Sequence, residues 1–177
     1  MRFENARSAM QHAKTFHQQL GYFYHSLSSQ VTQPKAKLLL DYITQQEKSL
    51  IDALSAFESN TPKGVLDTWL QYANDSEILK LPAIASSKAI HTAEDILNIS
   101  TQMSDELLSL YAQVEEQIDE EKVKAIFHNF SDMQVQKQKK ITMNYDRLIA
   151  LDIKLTKICL MRSGSPIQPS WNLGATT

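Results

Sequence analysis

Residues 61–86 read TPKGVLDTWLQYANDSEILKLPAIAS, and within the body of the chain they are where the helical pattern fails. Pro62-Lys63-Gly64 and Pro82 punctuate two short apolar pieces, Val65-Leu66-Trp69-Leu70 and Ile78-Leu79-Leu81. Neither piece sustains a helical period over several turns, so the segment reads as a crossover carrying one short helix. Before it, Phe3, Ala6, Met10, Ala13, His17, Leu20, Tyr24, Leu27 and Val31 alternate by three and four, the seam of a packed helix from about Glu4 to Val31. Pro34 suits the first turn of a second helix, where its missing N–H costs nothing. That helix carries Ala36, Leu40, Ile43, Glu47, Leu50, Leu54 and Phe57 and stops near Ser59-Asn60-Thr61-Pro62.

Beyond the crossover, Ser86 or Ser87 is placed to cap a third helix. Its seam is Ile90, Ala93, Leu97, Ser100, Ser104, Leu107, Tyr111, Val114 and Ile118. Asp119 is placed to cap a fourth, with Glu120 and Glu121 favourable in its first turn. Ile126, Phe130, Met133, Lys137, Ile141, Leu148, Leu151, Leu155 and Ile158 form its stripe. This helix would be about 40 residues and roughly 60 Å long, so its last turns would project beyond the bundle or fold over the crossover. The pattern predicts an all-α four-helix bundle over residues 1–160, made of two helical hairpins joined by a long crossover, with an extended last helix. A simple up-down bundle needs no such crossover. Residues 161–177, with both late prolines and Trp171, read as a flexible or docked tail.

Composition narrows the function classes. The 177 residues suit one domain, and Gly21 and Gly64 are the only glycines outside the tail, which nearly excludes Gly-rich phosphate loops. A net charge of -2 argues against nucleic acid as a partner, and the single Cys159 excludes an internal disulfide or a Cys-based cluster. No apolar run approaches a membrane span, and MRFENARSAMQ is too polar for a signal peptide, so a cytoplasmic protein is expected.

The halves also repeat. A shift of 87 residues places Tyr24 on Tyr111, Lys35 on Lys122, Lys37 on Lys124, Leu39 on Ile126, Leu40 on Phe127 and Ile43 on Phe130. With Phe23-Tyr24, the turn before Pro34 and Leu40-x6-Glu47, the chain over residues 4–158 resembles the ferritin-like superfamily, nearest its rubrerythrin-type diiron-carboxylate members. The resemblance implies that each half supplies a Glu from its first helix and a Glu-x-x-His from its second around two metal ions. Carried over by position, the six ligands become His17, Glu47, Leu50, Ser104, Gln134 and Lys137. One carboxylate and one histidine cannot hold two divalent ions, so the implied diiron site is degenerate and no cofactor is expected.

His17, Glu47, Ser104 and Lys137 lie on seams near mid-helix and predict a polar layer in the core, which Gln134 joins as a position implied by the resemblance. Lys137 would neutralise Glu47, with His17 and Gln134 completing the hydrogen bonds. The alternative is that Lys137 snorkels outward and Glu47 is solvated. His12 and His25 fall off the seam and read as exposed. His91 with Glu94, and His128 with Asp132, have clip spacing but read as solvated pairs. Lys137, Lys139 and Lys140 form a short basic cluster. Phe16 and Phe23 form a second stripe on the first helix, for the crossover or another subunit.

Three functions follow. The first is a non-catalytic binding, structural or regulatory module, a homodimer with a further protein partner and with neither nucleic acid nor membrane. The second is a diiron or mononuclear oxidoreductase with non-standard ligands from His17, Glu47, Asp105, Asp132 or His128. The third is a small-molecule binder with the polar layer as its pocket floor, marked by a cavity beside that layer.

Overall fold

Asn5 opens the first helix because its side chain satisfies an amide the helix cannot. Oδ1 accepts the Ser8 N–H at 2.9 Å, and Ser8 Oγ accepts the Asn5 N–H at 3.2 Å. The computed structural model describes residues 5–69, 90–116 and 118–162, with side chains through residue 158. From this box runs α1, Ala6–Ser28, and after a turn α2, Pro34–Asn60, with proline at its first position. A short α3, Lys63–Leu66, follows, and the Ala6 N–H donates to the Thr68 carbonyl at 3.0 Å, tying this segment to the start of α1. Leu66 is buried, whereas Trp69, expected among the apolar pieces of the crossover, is 77% exposed.

Two helix starts differ from expectation. The third long helix, α4, is Ala93–Glu116, so Ser86 and Ser87 do not cap it and lie outside the described residues. Its start is fixed by a second reciprocal box, in which Thr92 Oγ1 accepts the Asp95 N–H at 3.1 Å and Asp95 Oδ2 accepts the Thr92 N–H at 2.9 Å. The last helix, α5, is Glu121–Arg162, 42 residues long. The Glu120 carbonyl accepts the Val123 and Lys124 N–H groups at 3.0 Å, so the first turn closes one residue beyond Asp119. Among the described residues there is no strand, only an isolated bridge between Asn5 and Trp69.

Side-chain pairs give the helix directions. On α1 and α2, His17 meets Glu47, Ser28 meets Asp41 and Lys14 meets Glu58, so the two run antiparallel. On α4 and α5, Ser100 meets Gln138, Ser104 meets Gln134 and Tyr111 stacks near Phe127, again antiparallel. Between α2 and α5, Glu47 meets Lys137 and Phe57 meets Phe130, antiparallel once more. It follows that α2 and α4 run in the same direction. An independent contact agrees: Gln33, preceding α2, accepts the Ala93 N–H at 3.1 Å, so both helices start side by side. The end of α2 and the start of α4 therefore lie at opposite ends of α2, about 40 Å apart for its 27 residues.

The chain divides into two compact units, Met1–Tyr145 and Asp146–Thr177. In the first, Phe16, Leu20, Tyr24, Leu40, Ile43, Leu54, Tyr111, Phe127 and Phe130 are fully buried. Phe16 is thus covered within one chain, while Phe23 is half-buried and Tyr22 exposed. Of the predicted seams, Leu27, Phe57, Leu97 and Met133 are half-buried, and Phe3 lies outside the described residues. In the second unit, Leu151, Leu155 and Ile158 are 56%, 60% and 56% exposed, leaving the last part of the α5 stripe uncovered. The side chain of Cys159 and residues 163–177, Trp171 included, lie outside the described residues. No helix among the described residues is long and apolar enough to cross a membrane.

Leu38 and Leu40 are neighbours on α2 with opposite fates, 57% and 0% exposed. Leu40→Ala should cost about 3 kcal/mol and Leu38→Ala within about 0.5 kcal/mol in urea denaturation. Equal costs would mean that α2 faces its neighbours differently.

Candidate functional site

A polar layer crosses the apolar core at mid-helix, supplied by all four long helices. His17, Glu47, Ser104, Gln134 and Lys137 are all buried, with Glu47 at 1% and Lys137 at 5% exposure. Burial of an isolated charge costs several kcal/mol, so the decisive question is what each charge touches. Lys137 Nζ donates to Glu47 Oε1 at 2.7 Å, and His17 Nδ1 meets Glu47 Oε2 at 2.7 Å. Each carboxylate oxygen thus has its own donor. Lys137 turns inward, away from Lys139 and Lys140, which are exposed.

The protonation states follow from these contacts. Burial alone would raise the Glu47 carboxyl, but the Lys137 ammonium and the His17 hydrogen bond outweigh it and hold the value down to about 2. Burial lowers the His17 imidazole below its ordinary value, against the pull of Glu47. His17 is therefore neutral at pH 7. An ionised carboxylate only accepts, so Nδ1 carries the His17 proton and Nε2 is left as an acceptor. Nε2 faces the Tyr111 hydroxyl at 3.5 Å, a long contact that completes the order Tyr111, His17, Glu47, Lys137. Burial, and next the charge of Glu47, raise both Tyr111 and Tyr24, so both phenols stay neutral.

Gln134 does not complete the bonding of Glu47 as the sequence suggests. Its Nε2 donates to Ser104 Oγ at 2.6 Å, and Ser104 Oγ donates in turn to Gln138 Oε1 at 2.9 Å. Gln138 also accepts from Ser100 at 3.2 Å and donates to Thr101 at 2.8 Å. Ser100 reaches back to the Tyr24 hydroxyl. Gln138 escaped the sequence pattern because it sits beside the seam, although its position next to Lys137 is a usable signal. Gln134 Oε1 is buried without a hydrogen-bond partner among the described residues.

The two halves make equivalent contacts. His17–Glu47 and Ser104–Gln134 both join residues 30 apart, and each pair falls on the other under the shift of 87 residues. Ser28–Asp41, at 2.9 Å, and Glu115–His128, at 3.2 Å, are a second such couple, each 13 residues apart. Lys137 corresponds to Leu50 and has no charged counterpart in the first half.

The residues present do not fit two divalent ions. The layer offers one carboxylate, already hydrogen-bonded on both oxygens, one neutral histidine and one amide oxygen, and an ammonium group occupies its centre. The other candidates lie elsewhere. Asp105 and Asp132 are exposed, and His128 is held by Glu115 with Asp132 at 4.0 Å. Asp95 is committed to the Thr92 cap beside exposed His91. His25 is exposed, but His12 is buried, because the α1 face covered by its neighbours is wider than its seam. Among the described residues no group of three or more His, Cys, Asp or Glu side chains gathers as a metal site. Comparison with family models, curated proteins and solved structures finds no match for this chain.

The layer makes stability depend on pH. Both His17 and Glu47 bind protons more weakly folded than unfolded, so the unfolded chain gains protons first and stability falls on acidification. The His17 contribution begins to fade below pH 6.5, and that of Glu47 is lost from pH 4.5 toward 2. Urea midpoints should fall from pH 7 to pH 3, and Glu47→Leu with Lys137→Met should remove the part of the fall below pH 4.5. Midpoints independent of pH over that range would contradict the assigned states.

Proposed function

We propose that this chain is a ferritin-like four-helix bundle whose metal centre has been replaced by a buried ammonium–carboxylate–imidazole set, and that it acts by binding rather than by redox catalysis. One observation carries this reading: Lys137 Nζ lies 2.7 Å from Glu47 Oε1, both buried, at positions where the resemblance expects metal ligands. A fixed cation there performs the electrostatic task of a metal ion, neutralising a core carboxylate, without open coordination positions or redox states.

Two features of the fold support the ferritin-like assignment. The shared direction of α2 and α4 requires a connection that runs the length of the bundle, the feature separating such bundles from up-down ones. The equivalent contacts His17–Glu47 and Ser104–Gln134 fit two related hairpins. The interaction role, in a cytoplasmic homodimer, draws on the uncovered Leu151, Leu155 and Ile158 of α5, side chains suited to burial against a second protein surface.

Elemental analysis tests the metal-free reading directly. Untagged protein expressed with added iron and manganese should carry neither metal in stoichiometric amount while remaining helical. Near-stoichiometric metal, lost in Glu47→Ala, would overturn the reading and put the oxidoreductase first.

A further inference from the structure

A cavity of about 490 Å³ opens between α2 and α5, entirely within the first unit. Leu50, Phe57 and Met133 give it an apolar wall, and Lys137 lines its inner end. Glu47 is not among the lining residues, so of the buried pair only Lys137 contributes to the cavity wall. Lys140 stands one turn further along α5 on the same wall, exposed and without an ion pair among the described residues. The one acidic lining residue, Asp132, lies 4.0 Å from His128 Nε2.

We infer that this cavity is a binding site for a small amphipathic acid, an apolar chain or ring system ending in a single carboxylate. The inference deepens the metal-free reading by naming the ligand class. The apolar body packs on Leu50, Phe57 and Met133, displacing water from surface that gains by burial. The carboxylate takes Lys140 as its counter-ion, the lining cation that is not committed to Glu47. A cationic or neutral molecule of the same shape gains the apolar contacts and loses the head-group contact. The volume lies within the usual range of small-molecule pockets, about 300–1,000 Å³. Discrimination thus rests on charge and not on size.

The site explains two features that a purely structural layer leaves idle. Lys137 lines the cavity while its head stays paired with Glu47, and Leu50, the residue standing where the family's histidine is expected, becomes part of an apolar floor. In the equivalent position of the other half, the polar group is Lys137 itself. Replacement of the metal ligands thereby produces an apolar wall and a cationic end in one place.

The probe is 1-anilinonaphthalene-8-sulfonate, an apolar ring system with one anionic group, followed by fluorescence at low salt with decanoate and decylamine as competitors. Saturable binding at one site is expected, with decanoate displacing the probe about tenfold more effectively than decylammonium. Lys140→Glu, at an exposed position, should weaken both probe and decanoate about fivefold or more. Met133→Trp, which fills the cavity from a half-buried position, should abolish binding while helix content is retained. Absence of saturable binding, equal displacement by the two competitors, or indifference to Lys140→Glu and Met133→Trp would each overturn the acid site. Metal content is measured on the same preparation. A metal-bearing protein overturns the reading beneath the inference, whereas a metal-free protein that ignores decanoate overturns the acid site alone.

Discussion

A carboxylate in the middle of an apolar bundle is the constraint around which the core is organised. Glu47 faces inward from α2 and is ionised at pH 7, held so by Lys137 from α5 and His17 from α1. Either partner alone would leave one oxygen of a buried anion unsatisfied, a cost of the same order as a large part of a domain's net stability. The direction of each hydrogen bond is then fixed outward from Glu47: His17 must donate through Nδ1, and Nε2 must accept. Burial keeps the phenols of Tyr24 and Tyr111 neutral, and the charge of Glu47 makes their ionisation harder still. The pair also constrains the fold. The Lys137–Glu47 contact ties α5 to α2 at one depth, and together with the Phe57–Phe130 contact it sets the two helices antiparallel, which places α4 parallel to α2.

The layer is best understood as two equivalent pairs that have diverged in charge. His17–Glu47 keeps an ionised member; Ser104–Gln134 keeps the geometry with neutral amide and hydroxyl groups. A symmetric pair of carboxylates would need two compensating cations in the core. One carboxylate and one ammonium need none, and the neutral half absorbs no charge. Ser104 and Gln138 extend the neutral half toward Thr101 and Ser100, so that side is a hydrogen-bond network without a net charge. Such networks favour one arrangement of the helices over sliding alternatives, because a shift of one turn would break several bonds together.

Much of this was legible from spacing alone. Alternation by three and four residues puts His17, Glu47, Ser104 and Lys137 on the inner faces of four helices, and burial follows from that placement; Gln134, beside the seam residue Met133, is reached only through the family resemblance. The bonding within the layer was less legible, because periodicity fixes a face and a depth but not a partner. Gln134 prefers Ser104, on the helix adjacent in sequence, to the charged group across the core. Gln138 sits one residue off the seam and still reaches the core, because a long flexible amide spans the flank. Ser86 and Ser87 are good capping types and point to an earlier start for α4 than the observed Ala93. The reciprocal match of Thr92 with Asp95, three residues apart, was the stronger signal. His12 shows the same limit of a narrow seam: an interior helix buries a wider face than its central line, as Phe16 beside it also does.

A double-mutant cycle on the buried pair tests the central claim most directly. Glu47→Leu and Lys137→Met would be measured singly and together by urea denaturation at pH 7. Each single change should cost about 3–5 kcal/mol by leaving an uncompensated charge in the core, and the double change should cost far less than the sum, approaching neutrality. Additive costs would contradict the account, since they would mean that the ammonium and the carboxylate do not stabilise one another and that something else satisfies each of them.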